Sequence, residues 1–271
     1  ILDDPISSFE INKKYAIINR LFKTGETGNS LYERTVLMLT HDFEPVIDYI
    51  QTNSGRQKPT SVCANYFENK NGGLKCTPIC KDEDLMSAVV LLKELASDAT
   101  IDIAARIGCL RKFIEHQYKD PQAESDAYNI LSSLTHGRSE PTLDKDGNGK
   151  LTDEQVTKGV EFIRGFINDF DYTTVLDQCT PQCLIERYAT ETSAYIKMLI
   201  LRAYTERDSE ARERLRKYND VLRKYVDETY HIENDYLYSL DVRRFNFVPD
   251  TYIIDAEQYV ADDRARFDSA T

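Results

Sequence analysis

Ile1-Leu-Asp-Asp-Pro-Ile-Ser-Ser-Phe-Glu10 is the stretch on which the reading of this chain turns. Neighbouring side chains on a strand point to opposite faces, so two acids in a row, Asp3 and Asp4, are tolerated only at a strand end. Pro5 cannot donate to a ladder and stops the strand there. The residues after it read as a turn leading into a helix. The expectation is a buried strand that delivers two carboxylates to one edge of a sheet. A second fragment matches the first. Thr35-Val-Leu-Met-Leu-Thr40 is a short apolar run of strand type that ends in His41-Asp42. Between the two, Tyr15, Ile18 and Phe22 recur at helical spacing and imply a helix packed on the sheet.

The opening string resembles the junction of the Walker B strand and the D-loop in ATP-binding-cassette (ABC) enzymes. It is closest to the LDDPISSFD version of bacterial SMC-like ATPases linked to restriction and phage defence. That resemblance implies that Asp3 holds magnesium through water and that Asp4 orients or deprotonates the attacking water. It implies that Ser7 and Ser8 reach across a dimer interface to the partner's nucleotide. His41 matches, by context and separation, the switch histidine that touches the terminal phosphate. ATP and magnesium are therefore the implied cofactors, bound by Asp3, Asp4, Ser7, Ser8 and His41, and a homodimer or higher oligomer is the implied assembly. Two residues depart from the family pattern. Asp4 stands where most cassette ATPases carry Glu, and Glu10 replaces the usual D-loop Asp; both suit slow turnover, or a switch rather than a motor. No phosphate loop, G-x-x-x-x-G-K-[ST], occurs in the sequence. The phosphate-binding half is expected upstream of Ile1, and these residues alone are expected not to hydrolyse ATP.

Composition bounds the rest. The 271 residues suit one large or two modest domains, and 41% hydrophobic content supplies a sizeable core. No apolar run is long enough to cross a membrane. The six scattered Cys do not suggest a disulfide framework, and a cytoplasmic, reduced protein is the simple expectation. A net charge of −12 argues against broad coating of nucleic acid, though not against a local basic groove. Residues 1–55 read as the end of an α/β ABC-type ATPase core. Residues 56–82 read as a β-hairpin, from the alternation of Ser61 to Phe67, the turn-rich stretch Asn69 to Gly73 and a return strand from Leu74 to Cys80. Residues 83–271 are helical in period. Their stripes are Ala88, Leu91, Leu92, Leu95; Ile103, Ile107, Leu110, Ile114; and Val156, Val160, Ile163, Ile167, Phe170. Pro181 to Tyr230 reads as one or two long charged helices, with Glu206 to Lys217 a solvated face of i,i+4 pairs. The fold class is thus mixed, an ATPase end followed by a mostly helical domain.

Arg111 and Glu115 sit four apart and share one side of their helix. His136 follows the next helix in Leu-Thr-His-Gly. By residue type alone these are an ordinary i,i+4 ion pair and an ordinary helix end. The helical half also resembles the HEPN-like domains of anticodon nucleases of the PrrC and RloC type, which join such an ATPase to a catalytic Arg-x-x-x-Glu and a later His. The resemblance rests on the Arg-Lys-Phe-Ile-Glu helix, the Thr-His-Gly turn and the tail from His231-Ile-Glu-Asn to Pro249. It implies metal-independent cleavage of RNA, with tRNA as substrate. His136 and Glu115 would exchange protons with the ribose 2′-hydroxyl and the leaving 5′-oxygen, and Arg111 would hold the phosphate. The competing reading is a non-nuclease ATPase whose helical half binds DNA or a partner protein, such as a restriction-system or other defence component, and relays nucleotide state.

Two metal readings are weaker. Asp144, Asp146 and Asn148, with Gly149, follow the order of a calcium loop, but Gln155 stands where a bidentate Glu is needed. Thr152 and Gln155 fit a capping box instead, and the turn reading is preferred to calcium. Cys63, Cys76 and Cys80 suggest a convergence at the hairpin, with Cys179 and Cys183 repeating the spacing. Four zinc ligands are not evident, and free thiols are the expectation.

Overall fold

The computed structural model describes residues 1–5, 14, 17, 21, 31, 34–41, 43, 46–47, 50, 63–70, 72–117, 121–144, 147–228 and 239–270. The chain divides into two compact units, Ile1–Ser87 with Tyr236–Asp241, and Ala88–Asp235 with Val242–Thr271. The second excursion differs from the boundary read at residue 82: a segment from deep in the helical half returns to the first unit.

Among the described residues, the first unit holds three two-stranded sheets. Strand β1 (Leu2–Asp3) pairs in parallel with β2 (Met38–Leu39), Leu2 opposite Met38 and Asp3 opposite Leu39. Strands β3 (Ala64–Lys70) and β4 (Gly73–Ile79) form the hairpin, with Gly72 ahead of β4 at φ 77°. Only glycine takes that left-handed turn without strain, which fixes the register. A helical turn, Lys81–Asp84, leads into β5 (Leu85–Met86), which pairs antiparallel with β6 (Ser239–Leu240). The mixed class expected from the sequence is present. A many-stranded nucleotide-binding sheet is not evident among the described residues, because β1 and β2 pair there only with one another.

The second unit is helical: α1 (Ala88–Ser97), α2 (Ile103–His116), α3 (Pro121–Thr135), α4 (Asp153–Arg164), α5 (Tyr172–Gln178), α6 (Pro181–Thr190), α7 (Ala194–Arg207), α8 (Ser209–Tyr218), α9 (Asp220–Glu228) and α10 (Asp250–Ala270). The apolar stripes read from the sequence face inward, and Leu95, Leu110, Ile163 and Phe170 are fully buried. The long charged helices expected after Pro181 are four shorter ones. The breaks fall at side chains that compete for the backbone. Ser193 accepts from Ile196 N and Asp208 from Ala211 N, each as an N-cap, and Asn219 Oδ1 accepts from Leu222 N. None of the helices among the described residues is long and apolar enough to cross a membrane.

Two contacts tie this unit together. Gly159 of α4 lies so close to α3 that an added Cβ would meet Ile130 Cδ1 at 2.6 Å and Ala127 N at 2.9 Å. Asp263 of α10, 2% exposed, accepts from Tyr204 Oη at 2.8 Å, Tyr259 Oη at 2.7 Å and Arg214 Nε at 2.9 Å.

Candidate functional site

In the first unit the parallel pairing brings the acidic strand end beside the histidine strand end. Leu2 N donates to Leu37 O at 2.8 Å and Asp4 N to Leu39 O at 2.7 Å. Asp4 then turns out of the ladder at φ 45°, a left-handed conformation uncommon for a residue with a Cβ. Its Oδ1 lies 3.4 Å from the Thr40 hydroxyl, which donates to it, and His41 is the next residue. Asp3 and His41 are exposed and Asp4 is half-buried. The same strand edge thus carries two carboxylates, a hydroxyl and an imidazole. Carboxylate and hydroxyl oxygens are the hard donors that magnesium prefers, so the set fits such an ion. Ser7, Ser8 and Glu10 lie outside the described residues.

In the second unit Arg111 and Glu115 meet as the helical spacing requires, 4.0 Å apart. Tyr128 of α3 bridges them: Arg111 Nη2 donates to its oxygen at 3.0 Å, and its hydroxyl donates to Glu115 Oε1 at 2.9 Å. The Arg111 guanidinium also lies 5.0 Å from the Tyr128 ring centre. Burial pushes the Tyr128 hydroxyl up from its ordinary range, so it stays a neutral donor.

His136 is not part of this group. It closes the other end of α3, eight residues beyond Tyr128, or about 12 Å along the helix axis. His136 and Glu115, which the resemblance makes joint proton carriers, are therefore not brought together: α2 and α3 present the pair and the histidine at different levels. The Thr-His-Gly turn has a specific form. Gly137 N donates to Leu134 O and Arg138 N to Ser133 O, with Gly137 at φ 65°. That double closure is a Schellman end, which needs glycine at this position.

The residue that meets His136 comes from α7. His136 Nδ1 lies 3.3 Å from Glu206 Oε2, and Arg202 Nη2 lies 3.6 Å from the other Glu206 oxygen. The hydrogen bond from His136 is the main cause that holds the Glu206 carboxyl below its ordinary range, against burial and with help from Arg202. The next residue, Arg207, donates to Leu134 O and to Cys179 O, the latter at 2.7 Å. An added Cβ on Gly137 would meet Arg207 Cγ at 3.3 Å. Glu206 and Arg207 together clamp the turn that bears His136. The cavity nearby, lined by Gly108, Thr135, Arg202 and Arg207, has a volume of about 20 Å³. It holds roughly one water and is too small for a substrate. Glu206 and Arg207 were hidden in the sequence because they sit in a charged run that reads as a solvated face. Arg202, four residues before Glu206 at an otherwise apolar stretch of α7, was the available signal.

The loop from Asp144 is shaped by its own side chains. Asn148 N donates to Asp144 Oδ1 at 2.8 Å and Asn148 Nδ2 to Asp144 Oδ2 at 3.1 Å. The capping box is formed: Gln155 N donates to Thr152 Oγ1 at 3.3 Å and Thr152 N to Gln155 Oε1 at 3.0 Å. Gln155 Nε2 also donates to the buried Asp126 Oδ1 at 3.2 Å. Asp146 lies outside the described residues. Cys63, Cys76 and Cys80 are exposed and free, Cys109 and Cys179 buried, and burial pushes the Cys109 thiol up to about 12.

Comparison with protein-family profiles, with characterised proteins and with solved structures returned no match to this chain.

Proposed function

We propose that this chain supplies the hydrolytic edge of an ABC-type, SMC-like ATPase and a helical effector that acts with it. The observation that carries the reading is the in-register parallel pairing of β1 with β2, which gathers Asp3, Asp4, Thr40 and His41 at one strand edge. The phosphate loop is then the contribution of another segment, since no such motif occurs in these residues. Magnesium, when bound with ATP, neutralises charge on the transferring phosphoryl group. Asp3 would hold the ion, Asp4 would orient the attacking water and take its proton, and His41 would contact the terminal phosphate. In the protein that contains the phosphate loop, Asp4→Asn should lower kcat for ATP hydrolysis about a hundredfold or more while nucleotide binding persists. Hydrolysis at the wild-type rate by that variant would remove the assignment.

For the effector, the reading is cleavage of RNA, in the class of tRNA anticodon loops, centred on His136. It is supported by a part-exposed imidazole held by a part-buried carboxylate, the arrangement that keeps a histidine oriented for proton transfer. The base takes the 2′-hydroxyl proton, the 2′-oxygen attacks phosphorus, and the bond to the 5′-oxygen breaks as that oxygen gains a proton. A second reading, partner binding that relays nucleotide state, is favoured by the engagement of Arg111 and Glu115 with Tyr128. One series of variants separates them. His136→Ala and Glu206→Gln should each lower RNA cleavage by about a hundredfold and leave ATP hydrolysis intact. Glu115→Gln, in the separate group, should lower cleavage less than Glu206→Gln does. Wild-type cleavage by His136→Ala would leave partner binding as the reading for this half.

A further inference from the structure

The register of the hairpin in the first unit sets two cysteines opposite one another one step beyond its last pair. In the β3–β4 ladder Ala64 stands opposite Ile79 and each step outward adds one residue to either strand. The next pair beyond Ala64 and Ile79 is Cys63 and Cys80. Antiparallel pairs alternate between those that exchange two backbone hydrogen bonds and those that exchange none. Asn65 and Pro78 are of the second kind, since Pro78 has no N–H to exchange, and two steps outward the register puts Cys63 and Cys80 at the same kind of position. At such a position the Cα atoms stand about 4.5 Å apart and the side chains leave the sheet on one face. That separation lies within the range a disulfide spans. Both thiols are free and exposed. Cys76 also points to this face, opposite Phe67, but it is four residues along β4 from Cys80, about 13 Å away. Its sulfur lies 3.7 Å from Asn65 Oδ1. The pair therefore stands without a third sulfur ligand from β4, which favours disulfide chemistry over a thiolate metal centre.

We propose that Cys63 and Cys80 form a reversible dithiol–disulfide site that closes the open end of the hairpin. The co-reactant is a low-molecular-weight disulfide such as oxidised glutathione. The thiolate of one cysteine attacks a glutathione sulfur, the glutathione S–S bond breaks, and one glutathione thiolate leaves. The second cysteine, having lost its proton to solvent, attacks the protein sulfur of the mixed disulfide and releases the other glutathione thiolate. Two protein thiols are oxidised, one glutathione disulfide is reduced to two thiols, and the leaving thiolates recover the protons. A two-stranded hairpin has little stability of its own, so a covalent closure at its base changes how firmly the two strands hold together.

The test uses the intact chain in glutathione buffers of graded redox ratio. Thiols are titrated after denaturation, and linked peptides are mapped without reduction. The expected result is the loss of two of the six thiols, a single Cys63–Cys80 link, and full recovery with reductant. Cys76→Ser should behave as wild type. Cys63→Ser should carry glutathione on Cys80 and form no internal link. Four outcomes overturn the proposal: separate glutathione adducts on both cysteines of the wild type, a link through Cys76, a link between two copies, or no thiol loss at buffer ratios that oxidise a dithiol peptide control.

Discussion

Asp263 is the carboxylate on which α7, α8 and α10 meet, and its energetics follow from its partners. Burial alone pushes its pKa up, but hydrogen bonds from Arg214, Tyr259 and Tyr204 outweigh burial and hold the carboxyl below its ordinary range. Burial first, and then the bond to Asp263, raises the Tyr204 and Tyr259 hydroxyls, which stay protonated donors. A carboxyl whose folded value lies below its unfolded one stabilises the fold in full above the ordinary value near 3.9 and loses that contribution as pH falls through the folded value. Glu206, also held low, acts in the same sense. Asp263→Ala should cost about 3 kcal/mol, since it takes the acceptor from the Tyr204 hydroxyl and leaves Arg214 only its longer contacts with Asp208 and Glu210. Urea titration at neutral pH measures that loss. Repeating it below about pH 4 should show the difference between variant and wild type shrinking, because protonation removes the same charge from the wild type. An unchanged difference would mean that another group dominates the acid limb.

Among the elements, the contact between α3 and α4 sets two effects of one methyl group against each other. Alanine is the better helix former by about 1 kcal/mol, which favours Gly159→Ala. Packing opposes it. The new Cβ would fall 2.9 Å from a backbone nitrogen, that of Ala127, which cannot move without displacing α3. Overpacking of this kind costs about 1–3 kcal/mol, so the net change is a loss. Thermal or urea unfolding should show Gly159→Ala less stable than wild type. Ile130→Val in the same background should recover only part of the loss, because it removes the side-chain clash at 2.6 Å and leaves the backbone one. Stability equal to or above wild type would show that α3 and α4 are free to separate. The breaks at Ser193, Asp208 and Asn219 belong to the same scale. A charged run of good helix formers reads as one long helix until each capping side chain is given its backbone N–H.

Across the molecule, the sequence by itself determined what depends on neighbours along the chain. Two acids before a proline had to end a strand, and the turn-rich stretch Asn69 to Gly73 had to reverse the chain into a hairpin. The 3.6-residue stripes had to bury Leu95, Leu110 and Ile163, and Thr152 with Gln155 had to cap a helix. Each is a local rule of backbone geometry, hydrogen bonding or periodicity. Only the tertiary structure decided which distant groups meet. It set β1 beside β2, so that Asp4 finds the Thr40 hydroxyl from thirty-six residues away. It returned Ser239–Leu240 to β5, and it put Tyr128 between Arg111 and Glu115. It also gave His136 to Glu206 rather than to Glu115. Residue type and spacing carry no record of helix crossing levels. A carboxylate in a charged run looks the same whether it faces water or a histidine, and only packing of the apolar faces fixes which of the two it meets.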